Sequence, residues 1–422
     1  HLSLSLPAVL VVPDAAKRGV LGNLRYRAVP MEENDLFQVT EDSNPPSKTT
    51  SSRHDLLMVM GNNSLKIDKG SWTLKGWLLP SSSEQNDLFV VLSLTHALSD
   101  GPGALRKDDA YDDLKPFQTA FAASTAGEKD SSSTETRIFP PESMQHLPTG
   151  PVDDCSTGSI RAIHIELDAD LTTQLVQSCR SVGATVQGVI SAAAAVARIK
   201  ALLLAGAMNN EATSPILCAI QVPVNTRSFV KDDTNIATAC LCDSAGIVHP
   251  LQVDLAKLGP SSVHAAMNEI ADNEAKGAAV TESELKIMED LALYLLELTK
   301  DCSQQVKTTI QRNQPLEWLR RLMNDPASMP PYSLMASSIG VSPVQANYRG
   351  VVKVKECLFF GASLQTAREA QATMVHVVTF DGRMQLMMNF TYPGIQMKPF
   401  MESVANEMEA LLRLVAYKGD CK

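Results

Sequence analysis

The sequence is poor in several features that bind charged polymers. Only 5% of its 422 residues are aromatic, and acidic residues outnumber basic ones to give a formal net charge of −10. Proteins bind nucleic acids and anionic membranes through basic faces, and single strands also through stacked aromatic rings. We therefore expect no nucleic-acid partner. The 44% apolar and 20% charged fractions are typical of a chain that folds around a core.

A long uninterrupted apolar run is also lacking. The nearest approach, residues 189–208, is rich in alanine and contains Arg198 and Lys200, so it is predicted to be a buried helix. The apolar residues 2–12 have no basic segment before them and are predicted to form a strand rather than a signal peptide. We expect no transmembrane segment and a cytoplasmic protein, although a targeting peptide removed before His1 stays open.

Cysteine spacing and short motifs exclude further functions. The eight cysteines include no C-x-x-C pair, and Cys240 and Cys242 have no further ligands nearby, so we expect no metal site and reduced thiols. The G-x-S-x-G nucleophile elbow, the phosphate-binding loop and the dinucleotide fingerprint are absent from the sequence.

Two polar stretches, residues 40–53 and 124–158, are predicted to be loops. The second contains four prolines, and roughly 35 structureless residues are unusual inside one compact domain. We therefore predict an N-terminal lobe (residues 1–123), a crossover linker (residues 124–158) and a C-terminal lobe (residues 159–422).

Strands and helices alternate in the predicted secondary structure. Asp381-Gly382 is the strongest hairpin signal in the chain. Asp168 or Asp170 and then Thr185 are predicted to cap two successive helices, the first of which ends at Gly183. A mixed sheet is predicted from strands at 71–79, 88–95, 160–167, 215–224, 235–242, 332–338, 351–360, 373–380 and 384–392, with helices at 110–123, after Asp168, 185–206, most of 253–324 and 399–417.

One motif carries chemistry. The apolar strand ending near Thr95 leads directly to His96, followed by Asp100 and Gly101. Histidine is the side chain best suited to accept a proton near neutral pH, and a strand end holds it firmly. The alternative is a structural histidine beside a turn aspartate, since H-x-x-x-D-G is short.

H-x-x-x-D-G after an apolar strand resembles the signature of the acyltransferase superfamily built on the chloramphenicol acetyltransferase fold. Residues 222–227 resemble its Asp-x-Arg segment, with Asn225 in place of Asp, and Ser337 to Gly340 resemble its Ser-Asn-x-Gly segment. Thr95 replaces the first histidine of the condensation branch, and the plant D-F-G-W-G motif is absent. The resemblance implies a two-lobed α/β fold of mixed sheets flanked by helices, with an active-site tunnel between the lobes.

The resemblance also implies an activity, an acyl transfer from a coenzyme A thioester to a hydroxyl or amine in secondary metabolism. His96 would be the general base, Gly101 would allow the turn, and Asp100 would be a structural support paired with Arg227. The oxyanion candidates are Ser337, Ser338 and Asn389. Acyl-CoA would be a co-substrate, with no permanently bound cofactor.

Two other functions stay open. One is ester or amide condensation from a carrier-protein thioester, and the other is a catalytically silent protein that binds a hydrophobic ligand on the same fold. His164 and His376 lie in apolar stretches and are predicted to be core histidines. The sequence sets neither the acceptor nor the acyl length, and a monomer is compatible with it.

Overall fold

A computed structural model of the chain describes part of its length. The described residues are 8–13, 24–29, 37–38, 74–80, 88–94, 160–206, 208, 215–225, 244–259, 262–276, 281–312, 332, 334–359, 373–391 and 397–418. The chain forms two compact units: His1–Ser131 with Val224–Ala245 and Pro315–Met329, and Ser132–Pro223 with Gly246–Gln314 and Pro330–Lys422. The predicted linker, residues 124–158, lies outside the described residues, so the predicted lobe boundaries stay a prediction.

The described N-terminal elements are all strands. β1 (Ala8–Pro13) and β2 (Leu24–Val29) form an antiparallel ribbon. A three-stranded sheet contains β3 (Phe37–Gln38), β4 (Leu74–Pro80) and β5 (Leu88–Leu94), with β3 parallel and β5 antiparallel to β4. The strands predicted at 71–79 and 88–95 are therefore confirmed over the residues that the structure describes, 74–79 and 88–94.

The largest sheet has six strands of mixed direction. In chain order they are β6 (Ile160–Leu167), β7 (Ile216–Asn225), β8 (Ser244–Val253), β9 (Leu334–Val341), β12 (Thr373–Phe380) and β13 (Arg383–Thr391). Their spatial order is β6-β13-β12-β9-β7-β8, and a short ribbon pairs β10 (Asn347–Tyr348) with β11 (Val352–Lys353). Strand β13 is antiparallel to both neighbours, whereas β9 runs parallel to β12 and β7. The predicted mixed α/β fold is confirmed.

Five α-helices are described: α1 (Ala169–Ser181), α2 (Val186–Leu204), α3 (Val263–Ala275), α4 (Glu282–Gln311) and α5 (Met397–Lys418). Asp168 caps α1 by accepting a 2.8 Å hydrogen bond from the Leu171 amide, and Gly183, with φ of +70°, ends that helix. Thr185 caps α2 through a 3.1 Å bond from the Gly188 amide. These caps are the residues that the sequence predicts.

Helix α2 is the centre of the core. It is the one described helix long and apolar enough to cross a membrane, but 83% of its apolar window is buried inside the protein. Its two charged side chains are buried as well. Arg198 donates to the Thr373 hydroxyl at 2.5 Å, and Lys200 donates to the Leu258 carbonyl at 2.8 Å. These bonds explain how a core helix tolerates two cations.

Two stretches differ from the sequence prediction. Strand β8 was not predicted, and the strand predicted at residues 235–242 lies outside the described residues. The predicted strand at 351–360 is wrong for most of its length, because only Val352–Lys353 pairs and residues 354–359 are irregular.

Candidate functional site

The central strands of the six-stranded sheet present two chemically different faces. The helix face consists of Thr373, Val375 and Val377 of β12 with Leu386 and Met388 of β13. Thr373 contacts α2 through Arg198 and α5 through Met401, which identifies the side that the helices cover. The polar face consists of the alternate residues, because side chains point to opposite sides along a strand. It contains the polar residues His376, Gln385, Asn389, His164 and Glu166 together with the apolar residues Met374, Val378, Met387 and Ala162.

His376 and Asn389 form a buried pair on the polar face. The ring Nδ1 of His376 lies 2.9 Å from Oδ1 of Asn389, and these residues are 3% and 2% exposed. An amide oxygen only accepts hydrogen bonds, so Nδ1 is the donor and carries the proton. The Phe359 ring packs against the imidazole in a T-shaped arrangement, with ring centroids 5.2 Å apart. Together these contacts fix the ring orientation and assign the proton to Nδ1.

A second polar network lies at the β6 edge of the same face. Gln385 Nε2 donates to Glu166 Oε2 at 2.9 Å, and its Oε1 lies 2.5 Å from His164 Nε2. Arg383 forms an ion pair with Glu166 at 3.3 Å and donates to the Lys355 carbonyl at 2.6 Å. Gln385 is 0% exposed, whereas Glu166 and Arg383 reach solvent with about a third of their side chains.

The irregular residues 354–359, here called the covering segment, lie over the polar face. Lys355 accepts from Arg383, and Phe359 contacts His376. An oxygen of Glu356 lies within 4.8 Å of ligand atoms of both His164 and Glu166. The stretch that the sequence predicted as a strand therefore packs across the sheet instead of extending it.

Three predicted oxyanion candidates are described, and they separate onto the two faces. Ser337 is the register partner of His376 in the parallel β9–β12 pair, so it lies on the polar face with Asn389. Ser338 is the partner of Val377 and lies on the helix face, where its amide donates to Gln187 of α2 at 3.1 Å. The remaining predicted residues, His96, Asp100, Gly101 and Arg227, lie outside the described residues.

The polar-face network was not predicted from the sequence. His164 and His376 were predicted to be core histidines, and His376 is indeed buried, but Gln385, Glu166 and Arg383 were not singled out. A signal was present in the sequence. Strand β6 contains H-x-E and β13 contains R-x-Q, so polar residues alternate with apolar ones in both strands. Such alternation places polar groups together on one face.

Cysteine chemistry is unfavourable in the described part of the chain. Burial raises the pKa of Cys179 to about 12, and it raises the pKa of Cys302 and of Cys357 as well. A thiol with a raised pKa is protonated at neutral pH and is a poor nucleophile. None of these three cysteines is therefore an activated nucleophile.

Comparison with known proteins gives no match to a protein-family model and none to a curated protein. Solved structures do match. A trichothecene 15-O-acetyltransferase from Fusarium sporotrichioides has a TM-score of 0.52 at 13% identity, covering 89% of this chain and 76% of that chain. The epimerization domain from the third module of tyrocidine synthetase B has a TM-score of 0.56 at 9% identity, covering 99% and 86%. The X-domain from teicoplanin biosynthesis has a TM-score of 0.52 at 12% identity, covering 98% of this chain and 84% of that chain.

These likenesses cover most of each chain at very low identity, so they show the fold. The named neighbours include an acetyltransferase and an epimerization domain. One fold therefore carries different reactions, and the activity has to be argued from residues. The chain has the chloramphenicol-acetyltransferase-like fold, in common with the acetyltransferase, the epimerization domain and the X-domain.

Proposed function

We propose that this chain is an acyltransferase that moves an acyl group from a coenzyme A thioester to a hydroxyl, with His96 as general base. The observation that carries the proposal is H-x-x-x-D-G beginning two residues after β5 in a chain with this fold. A trichothecene acetyltransferase with the same fold shows that this fold can carry O-acyl transfer. An amine is the second acceptor class.

The proposed reaction needs one proton acceptor and no covalent intermediate. The acceptor oxygen attacks the thioester carbonyl carbon as His96 takes its proton. The tetrahedral intermediate then breaks its C–S bond, and the imidazolium returns the proton to the departing thiolate. The products are an ester and free coenzyme A. A positioned general base of this kind contributes roughly 10²- to 10⁴-fold to the rate.

Supporting groups are proposed around this step. Asp100 would pair with Arg227 through a charge-assisted bond and fix the turn that contains Gly101. Among the oxyanion candidates, Ser337 is the best supported, because it lies on the polar face and its hydroxyl can donate. Asn389 is already bonded to His376 and is 2% exposed, and Ser338 lies on the helix face.

The donor remains part of the proposal. Coenzyme A carries phosphates, and the chain has a net charge of −10, so its site requires a local concentration of basic residues. Acyl-CoA would be a co-substrate in the cytoplasm, with no permanently bound cofactor. The other candidate donor, a carrier-protein thioester, uses the same acyl chemistry and differs only in what carries the thiol.

The test measures thiol release from a panel of acyl-CoA donors with alcohols and with amines. We expect acceptor-dependent release, and we expect His96→Ala to reduce it about 10²-fold or more. The matched control is His264→Ala, which removes a histidine bonded only locally to Asn268 on α3. Equal rates for parent and His96→Ala would reject the general-base role. Turnover only with acylated carrier protein would reject coenzyme A, and ligand binding without any turnover would favour the silent binding protein.

A further inference from the structure

We propose that His164, Glu166 and Glu356 form a binding site for a divalent transition-metal cation, with Zn²⁺ as the preferred ion. One ring nitrogen and two carboxylate oxygens lie within 4.8 Å of one another, and all three residues are half-buried. The site lies between edge strand β6 and the covering segment. It goes beyond the proposed acyl transfer and does not depend on it.

The ligand set favours transition metals over Ca²⁺ and Mg²⁺. Imidazole nitrogen suits Zn²⁺ and its neighbours, whereas the two hard cations are bound by oxygen alone. Zinc bonds of roughly 2.0–2.2 Å put neighbouring ligand atoms about 3–4 Å apart. The three ligand atoms therefore need only a small inward movement, which two glutamate side chains can supply by rotation.

Gln385 prepares the histidine for this role. A carboxylate accepts hydrogen bonds only, so the Gln385 nitrogen faces Glu166 and its oxygen faces His164. His164 Nε2 must then be the donor, so a neutral ring keeps its lone pair on Nδ1, and the proposal assigns the metal to that nitrogen. In metal sites, a carbonyl or carboxylate commonly accepts the second ring N–H of the ligating histidine in this way. One buried amide thus orients two of the three ligands.

Arg383 is the competing cation. Its guanidinium lies 3.3 Å from Glu166 Oε1, but both side chains are about one-third exposed. Such pairs are weak and exchange readily with solvent. Arg383 also donates to the Lys355 carbonyl at 2.6 Å, a contact it can keep after releasing Glu166. The positive charge of Arg383 also lowers the affinity of the site for a metal cation. Removing that charge should therefore strengthen metal binding.

Metal binding would join two parts of the chain that are far apart in sequence. His164 and Glu166 belong to β6, whereas Glu356 belongs to the covering segment, whose Phe359 contacts His376. A metal at this position would hold the covering segment against the polar face. Zn²⁺ should therefore raise the melting temperature of the protein, because an ion that binds only the folded state stabilises it by mass action.

The first experiment is calorimetric titration of the full chain with ZnCl₂ after treatment with a chelator. We expect about one ion per chain, and affinities about tenfold weaker or worse in His164→Ala and in Glu356→Gln. The matched control is Glu409→Gln, which removes a carboxylate that is paired with Arg413 and 35% exposed, against 37% for Glu166. The control should bind as the parent does. Parent-like affinity in folded His164→Ala and Glu356→Gln would overturn the site.

Two further measurements separate this site from adventitious binding. Co²⁺ bound through nitrogen and oxygen lacks the intense ultraviolet charge-transfer band of a thiolate complex, so such a band would assign the ion to cysteines. Arg383→Gln should bind Zn²⁺ about tenfold more tightly, because it removes a repelling charge beside the site. Unchanged or weaker binding in Arg383→Gln would mean that the cluster is only an ion-pair network.

Discussion

The helix face and the polar face alternate along the same strands, yet they are stabilised differently. On the helix face, Val375 and Leu386 are 0% exposed and lie on the side where Thr373 contacts α2 and α5. On the polar face, Gln385 is also 0% exposed, but it is held by hydrogen bonds to His164 and Glu166. Side chains that are equally buried are therefore stabilised in two different ways. On the helix face the stabilisation comes from moving apolar surface out of water, and on the polar face it comes from hydrogen bonds between polar groups.

The difference separates a part of the sheet that is held by apolar packing from a part that is held by directed polar contacts. Apolar packing is non-directional and is lost in proportion to the volume removed. The polar contacts instead specify tautomers and orientations, as in the His376–Asn389 pair. Substitutions on the helix face should therefore lower stability more than those on the polar face.

The largest expected effect comes from two adjacent residues of β13. We expect Leu386→Ala to lower the free energy of unfolding by about 2–5 kcal/mol, because it leaves a cavity under the helices. Gln385→Ala should cost about 1–2 kcal/mol, since the partners it abandons are half-buried and water can reach them. Denaturant unfolding of both variants measures the comparison. An equal or larger loss in Gln385→Ala would mean that the polar face supports the fold as strongly as the helix face.

A second comparison concerns two buried strand histidines. His376 has Asn389 as a partner, whereas neither ring nitrogen of His249 in β8 has a partner of good hydrogen-bond geometry among the described residues. Burial lowers the pKa of His249 from 6.5 to about 4, and the nearby Gln305 side chain and Pro250 backbone oppose this only in part. A charged imidazole is thus strongly disfavoured at this position in the folded state.

Acid should therefore destabilise the protein through His249. Above pH 6.5 the residue is neutral in both states and contributes nothing. Between pH 6.5 and about 4 only the unfolded chain binds the proton, so stability falls by about 1.4 kcal/mol per pH unit, or about 3 kcal/mol in all. His249→Leu should lose this component when melting is compared at pH 7 and pH 5. If its pH dependence matches that of the parent, another group causes the acid loss.

Local signals in the sequence predicted much of the fold. As predicted, helix α1 begins at the cap Asp168 and ends at Gly183, and helix α2 begins at the cap Thr185. The predicted turn forms at Asp381-Gly382, with φ of +50° and +78°. Strand β8 was not predicted, and it contains Pro250, a residue that normally argues against a strand. The structure explains the exception, since β8 is at the edge of the sheet, where a missing amide donor is tolerated.

The site was less predictable because it depends on register. His164 and Gln385 are 221 residues apart in the sequence and meet only because β6 and β13 pair in the observed alignment. A strand was predicted at residues 351–360, whereas most of that stretch covers the polar face. No local pattern distinguishes a strand that extends a sheet from a segment that lies across it. The H-x-x-x-D-G residues stay a prediction.

A smaller effect is expected in the helix layer that covers the helix face. A Cβ at Gly188 of α2 would lie 2.6 Å from the Thr299 carbonyl oxygen and would also collide with Ser303 Oγ, both on α4. We expect Gly188→Ala to cost about 1–3 kcal/mol in unfolding free energy, because the helices must separate. Adding Ser303→Ala should recover only part of this, since the backbone contact remains. Full recovery of the unfolding free energy would show that the Ser303 hydroxyl alone requires glycine at position 188.

The smallest expected effect comes from comparing the two faces at adjacent residues of β9. Ser337 lies on the polar face and Ser338 on the helix face, so of the two we propose only Ser337 as a donor to the oxyanion. If acyl transfer occurs as proposed, Ser337→Ala should lower kcat about tenfold, the worth of one hydrogen bond to a charged group, with little change in melting temperature. Ser338→Ala is the matched control and should keep kcat, because its amide bond to Gln187 uses the backbone. A larger loss of kcat in Ser338→Ala than in Ser337→Ala would reverse the assignment of the faces to fold and chemistry.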